Sequence, residues 1–227
     1  MLLSIYGDSI LKGVLFEQGR YTVNREYEQS FARRQTCAIR NRSVFGATLE
    51  KGLALLRRDA EKGVCPGDYV LLEFGGNDCD FCWQQVAEAP AGEHVCRVPT
   101  ERFAALLQEA IRLVRTLGSV PLTMTLPPID PERYLTHICR NGLSRERILQ
   151  WLGDVTAIYR WQEQYSRLTE TVARSLGVVT VDVRSAFLRR RQLDNLLCAD
   201  GIHPSRSGQK LIYDTFCRHA DGMLIPA

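Results

Sequence analysis

No apolar run in this chain approaches the ~18 residues that a helix needs to cross a bilayer. No stretch rich in Gly, Pro, Ser or charge reads as a linker, and neither an internal repeat nor a low-complexity tract is present. The expected organisation is therefore one domain over residues 1–227. Net charge is slight, at +3. That balance argues against nucleic acid as a partner, because its binders usually carry a clustered basic face. The densest basic run, Arg189-Arg190-Arg191, reads as a solvated helix face or turn. A strand pattern begins almost at Met1 and leaves no room for a leader, so the expected location is the cytoplasm. The 8 cysteines fit no compact disulfide framework, and in that compartment they are expected to be mostly reduced.

Hydrophobic residues make up 45% of the chain, enough for a substantial core. Five short apolar runs read as strands: Leu2 to Tyr6, Ile39 to Phe45, Tyr69 to Phe74, Val120 to Thr125 and Val178 to Val183. Tyr69 to Phe74 is almost wholly apolar, as a strand covered on both faces should be. Helical periodicity covers Thr48 to Lys62, Thr100 to Leu117 with Thr100 as N-cap, Asp154 to Leu176, and Ser207 to His219. Alternating strands and helices predict an α/β fold, a three-layer α/β/α sandwich around a five-stranded parallel sheet. In the flavodoxin-like order 2-1-3-4-5, strands one and three flank the switch point. Ligands bind there, beyond the carboxyl ends of the strands. Three connections are long: 13–38, 78–99 and 126–153. The last two follow strands three and four and lie at that rim. The first has room for a helix. Tyr6, Phe81, Trp83, Tyr134 and Trp151 are candidates to line a pocket there, though loop packing is the commoner use of such aromatics.

Three segments carry chemistry. Gly7-Asp8-Ser9-Ile10 offers a hydroxyl directly after strand one, at an expected helix start. A serine hydroxyl needs a base to become nucleophilic. Asp200-Gly201-Ile202-His203-Pro204 supplies one, with Asp200 three residues from His203 and able to fix the imidazole tautomer. Gly75-Gly76-Asn77-Asp78 places a neutral carboxamide donor on a slim turn after strand three, suited to an oxyanion. Gly46, after strand two, offers a backbone N–H to the same hole. Taken singly, each is also an ordinary cap or turn.

Together, Gly7-Asp8-Ser9-Ile10, Gly46, Gly75-Gly76-Asn77-Asp78 and Asp200 to Pro204 resemble the four blocks of the SGNH, or GDSL-type, hydrolases. The resemblance covers nearly the whole chain. Ile10 stands where the family's emblem has leucine. Gly46 is the softest match, since Gly52 lies in the same region. The chain lacks the Gly-x-Ser-x-Gly elbow of the other large α/β esterase class. The resemblance implies a flavodoxin-like sandwich and a Ser-His-Asp esterase or lipase; the expected substrate is a small-molecule carboxylic ester, short acyl or sugar esters included. It implies Ser9 as nucleophile, His203 as base and Asp200 as its orienter. It implies an oxyanion hole of Ser9, Gly46 and Asn77. No metal or organic cofactor is expected. An acyltransferase or thioesterase shares the first half-reaction, and a binding protein on the same fold is a further alternative. Cys79-x-x-Cys82, with Cys96 and His94 in the same loop, raises a zinc or redox reading, but the spacing matches no standard zinc pattern.

Overall fold

Period-two burial builds the central sheet. In β1 (Leu2–Gly7), Leu3 and Ile5 join one core cluster and Tyr6 joins another. The strand Tyr69–Glu73 repeats this, with Leu71 on the first side and Val70 and Leu72 on the second. Both faces are therefore apolar, as a covered parallel sheet requires. The computed structural model describes residues 1–223.

After β1 come a hairpin of β2 (Val14–Glu17) and β3 (Arg20–Val23), then α1 (Glu26–Arg34), β4 (Ala38–Asn41), α2 (Leu49–Glu61) and β5 (Tyr69–Glu73). Then follow α3 (Trp83–Glu88), α4 (Thr100–Thr116), β6 (Val120–Met124), α5 (Pro131–Cys139), α6 (Arg145–Leu152) and α7 (Thr156–Ser175). β7 (Val179–Val181), α8 (Val183–Leu188) and α9 (Arg206–Met223) complete the described chain. The large sheet runs β4-β1-β5-β6-β7 with every pairing parallel. Counting parallel strands alone, this is the expected order 2-1-3-4-5. Helices α2, α4 and α7 pack on one face, and α1, α8 and α9 on the other. A third cluster joins α3, α5, α6 and the start of α7.

Several boundaries differ from the sequence reading. The second strand ends at Asn41, not Phe45. The Arg42 and Val44 N–H groups still reach the Ile5 and Gly7 carbonyls, at 2.8 and 3.0 Å. However, the Asn41 side chain accepts from Ser43 N–H at 2.9 Å and turns the chain. Val44 and Phe45 are consequently 47% and 49% exposed. The last strand stops at Val181 because Asp182 caps α8, its carboxylate accepting from Ser185 N–H at 3.0 Å. Pro99, not Thr100, sits at the cap of α4. The 13–38 connection holds α1 and also a hairpin, whose turn residues Gln18 and Gly19 both have positive φ (52° and 74°). A turn of that hand matches the twist of the flanking strands. Segment 126–153 folds into α5 and α6. Asp130 caps α5 by accepting from Glu132 and Arg133 N–H, each at 3.0 Å.

No helix among the described residues is long and apolar enough to cross a membrane.

Candidate active site

The register of the sheet sets the site. Gly7 at the end of β1 is paired with Glu73 at the end of β5, so the chain leaves both strands at one level. Asp8 and Ser9 emerge from the first, and Gly75 to Asn77 from the second. The expected helix start at Ser9 is not formed. Instead the chain makes consecutive turns, with Lys12 N–H on the Asp8 carbonyl and Val14 N–H on the Ser9 carbonyl. Gly13, at φ 80°, ends them within five residues of Asp8 and starts the hairpin. The Asp8 carboxylate accepts from Ile10 N–H at 2.8 Å and holds the turn.

Ser9 Oγ lies 2.8 Å from His203 Nε2. His203 Nδ1 lies 2.6 Å from Asp200 Oδ2. The other Asp200 oxygen accepts from the Ile202 and His203 N–H groups, at 3.2 and 3.1 Å. A bridge between Leu197 and Pro204 closes this loop at its base. Asp200 is fully buried, His203 is 2% exposed and Ser9 7%. Burial alone would raise the Asp200 carboxyl. The hydrogen bond and charge of His203, helped by the two N–H donors, outweigh it and hold Asp200 below its ordinary value. An ionised, buried carboxylate on Nδ1 leaves Nε2 free to accept a proton from Ser9.

Asn77 donates one amide hydrogen to Asp8 Oδ2 at 2.9 Å, which fixes the plane of the carboxamide and leaves its second N–H free to aim elsewhere. Gly75, at φ 129°, permits this turn in a conformation that side chains resist. Gly46 has φ 68° and stands just after Phe45, whose ring stacks on that of His203 at 6.0 Å. No backbone carbonyl among the described residues takes the N–H of Ser9 or of Gly46. Ser9, His203 and Asp200 are thus joined in series, Asn77 shares a cleft with Ser9, and Gly46 follows the residue whose ring stacks on His203.

Three carboxyl groups lie beneath them. Burial raises Asp8, and burial followed by the charge of Asp8 raises Glu73 well above the usual range. Asp78 accepts from Leu49 N–H at 2.9 Å and from Gly75 N–H at 3.0 Å, tying the start of α2 to the Asn77 turn. Burial pushes its carboxyl from 3.8 up to about 7, against the pull of those two donors, and the charge of Asp8 adds to the rise. A raised carboxyl binds its proton more tightly in the folded state. Its contribution to stability is full below 3.8 and is lost as pH rises through about 7. Urea unfolding between pH 4 and pH 8 should show the wild type losing stability relative to Asp78→Asn as pH rises. A constant gap across that range would mean that Asp78 is ionised throughout.

The alternative ligand set of the 78–99 loop is dispersed. Cys79 donates to the Gly76 carbonyl at 3.3 Å, Cys96 sits 3.1 Å from the Tyr165 hydroxyl, and His94 meets the Ala89 carbonyl at 2.9 Å, while Cys82 is exposed. Among the described residues no three His, Cys, Asp or Glu side chains gather as a metal site.

A family model described as the GDSL-like lipase/acylhydrolase family matches residues 5–211. The chain belongs to this family. Its members hydrolyse ester bonds, and this chain is a hydrolase of that kind. No curated protein matches the sequence. Among solved structures, the chain is similar to a lipase/acylhydrolase from Enterococcus faecalis, with 21% identity, TM-score 0.67, and coverage of 100% of this chain and 98% of the other. It is similar to LAE5, an α/β hydrolase from the metagenome of Lake Arreo, Spain, with 24% identity, TM-score 0.66, and coverage of 99% and 96%. A catalytic mutant of an acetylxylan esterase from Geobacillus stearothermophilus gives 20% identity, TM-score 0.62, and coverage of 96% and 92%. At these identities the likeness is one of fold.

This GDSL-like acylhydrolase has a cleft of about 680 Å³, its open mouth included, beside Ser9 and Asn77. Phe81, Trp83 and Tyr134 line it as expected from the sequence. Tyr6 does not; it lies in the core under α2 and donates to Asp59 at 2.9 Å. Trp151 packs behind the wall, 5.0 Å from Phe81. Sequence reasoning missed Ile158, Trp161 and Gln162 of α7, because their spacing is that of any buried helix face. It also missed Tyr21 on β3, whose ring lies 5.5 Å from that of His203.

Proposed function

We propose that the chain is a serine esterase that cleaves a small-molecule carboxylic ester through an acyl-enzyme on Ser9. The hydrogen-bonded series Ser9 Oγ, His203 Nε2, His203 Nδ1, Asp200 Oδ2, at 2.8 and 2.6 Å, carries this reading. His203 takes the Ser9 proton as the oxygen attacks the ester carbonyl. The oxyanion is received by the N–H groups of Ser9 and Gly46 and by the free amide hydrogen of Asn77. His203 then protonates the leaving alcohol. Water, activated by the same imidazole, breaks the acyl–Ser9 bond and releases the acid. The oxyanion roles of the Ser9 and Gly46 N–H groups are those the family resemblance implies, and Asp200 keeps the imidazole in the required tautomer.

A 4-nitrophenyl alkylphosphonate tests the nucleophile directly, since it phosphonylates an activated serine with loss of nitrophenolate. Peptide mass spectrometry should place one adduct on Ser9 and none on the other serines. Modification at another residue, with Ser9 untouched, would reject the assignment.

The amide of Asn77 is assigned to a charge that exists only during attack. Asn77→Ala is therefore expected to lower kcat by about 10²–10³-fold with little change in KM. Steady-state kinetics on 4-nitrophenyl butyrate measures the split. A rise in KM at constant kcat would make Asn77 a substrate-binding group instead.

A further inference from the structure

The two sides of Ser9 differ in kind. The cleft opens on Ser9 and Asn77 and does not reach His203 or Gly46. On the other side, the His203 ring faces Tyr21 and Phe45, whose rings meet at 5.1 Å and are 39% and 49% exposed. Chemistry assigns the sides. The leaving oxygen must come within hydrogen-bond reach of His203 Nε2 to be protonated. The alcohol therefore lies toward Tyr21 and Phe45, and the acyl group takes the remaining direction, into the cleft.

The walls of that cleft are mostly apolar toward the ligand, because the polar side-chain atoms of Trp83, Tyr134 and Gln162 are already committed and the Trp161 indole N–H is the exception. Trp83 Nε1 and the Tyr134 hydroxyl both donate to Asp80 Oδ1 at 2.8 Å, and Arg97 pairs with the other oxygen at 3.1 Å. The Gln162 amide donates to the Pro127 carbonyl at 2.8 Å and accepts from Arg184 at 2.8 Å. What remains is the surface of Ile129, Ile158, Trp161 and the faces of Phe81 and Trp83. A hydroxylated ring placed there would lose its water without new partners. An acetyl group has one methyl to bury against these walls, and each further methylene adds apolar surface.

Resting on the acyl-enzyme reading above, we propose that the cleft is the acyl pocket and selects apolar acyl groups longer than acetyl, while the alcohol departs across the Tyr21–Phe45 face. Discrimination of about 10-fold or more between acetyl and longer chains is what an apolar pocket delivers for added methylenes.

The test crosses acyl length with leaving group. 4-Nitrophenyl acetate, butyrate and hexanoate probe the first, and methyl and benzyl butyrate the second. In the wild type, kcat/KM should rise at least about 10-fold from acetate to butyrate or hexanoate. Ile129→Trp, which fills the cleft from a half-buried position, should cut the hexanoate-to-acetate ratio about 10-fold and move the benzyl-to-methyl ratio less than about twofold. Trp161→Ala acts in the opposite sense and should shift the preferred chain toward hexanoate, which covers the case of a blocked variant that fails to fold. Phe45→Ala should lower the benzyl-to-methyl ratio and leave the acyl ratio in place. A wild type indifferent to acyl length, or a Phe45→Ala enzyme that changes acyl preference instead, overturns the proposal. Ser9→Ala run on the same panel separates the two claims. Activity that survives it defeats the serine mechanism, whereas flat acyl preference in a Ser9-dependent enzyme defeats the pocket alone.

Discussion

Ser9→Ala is expected to lower kcat for a 4-nitrophenyl ester by about 10⁵–10⁶-fold while leaving the fold and its unfolding midpoint nearly unchanged. The expected loss is large because, in the proposed mechanism, Ser9 Oγ forms the acyl bond, and among the described residues it is the hydroxyl hydrogen-bonded to His203, at 2.8 Å. The stability cost is small because the substitution removes one oxygen at the floor of an open cleft and strands no charge. His203 keeps its bond to Asp200 at 2.6 Å. Rate above the uncatalysed reaction, about 10³-fold, should survive from the oxyanion donors and from binding. Stopped assays with enzyme quantified by absorbance and a thermal melt on the same preparation give both numbers. Turnover within tenfold of the wild type would show that another group carries the chemistry.

The sequence was legible where local rules and tertiary demand agree. β1, β5 and β6 sit inside the sheet, the first two buried almost throughout and β6 over most of its length, so their apolar runs are readable. β4 and β7 are edges. The first of them is bent by Asn41 and the second is cut short by the cap at Asp182. In both cases a side chain competing for backbone donors, rather than hydrophobicity, set the boundary. Ser9, Asn77, Asp200 and His203 could be read because each follows a strand end or sits in a loop whose residue types are chemically unusual. The wall of the cleft could not. Ile158, Trp161 and Gln162 recur at the interval of any core helix, and nothing along the chain says that they border a cleft. The hairpin is a different case. Val14, Phe16, Tyr21 and Val23 alternate around Gln18-Gly19, a pattern that sequence alone could have supplied. What it could not supply is that the hairpin folds back over His203.

The carboxyl cluster shows why the site needs its buried charges arranged in series. Asp8 orients Asn77, Asp78 fixes the turn that bears it, and Glu73 accepts from Asp8 N–H at 3.3 Å. Three ionised groups at such proximity in a low dielectric would repel strongly. All three carboxyls are raised, Glu73 well above the usual carboxylate range and Asp78 to about 7, which lessens that repulsion. Asp200 is held below its ordinary value, so the carboxylate paired with the imidazole is the one kept ionised, as the proposed mechanism requires.

Asp200→Asn should isolate that pairing. The carboxamide oxygen can still accept from the Ile202 and His203 N–H groups, bonds of 3.2 and 3.1 Å in the wild type, so the loop should keep its shape. Its NH₂ then faces His203 Nδ1, which can only answer as an acceptor. The ring must place its proton on Nε2, toward Ser9, where an acceptor is needed. The imidazolium formed during attack also loses the carboxylate that offsets its charge in a fully buried position. A fall in kcat of about 10⁴-fold is expected, with KM and the circular dichroism spectrum near those of the wild type. Nitrogen-15 spectra of labelled histidine add a readout that a structural role would not move: the protonated nitrogen of His203 should change from Nδ1 to Nε2. An Asp200→Asn enzyme that retains the Nδ1–H form and near-normal kcat would show that the tautomer is fixed from elsewhere.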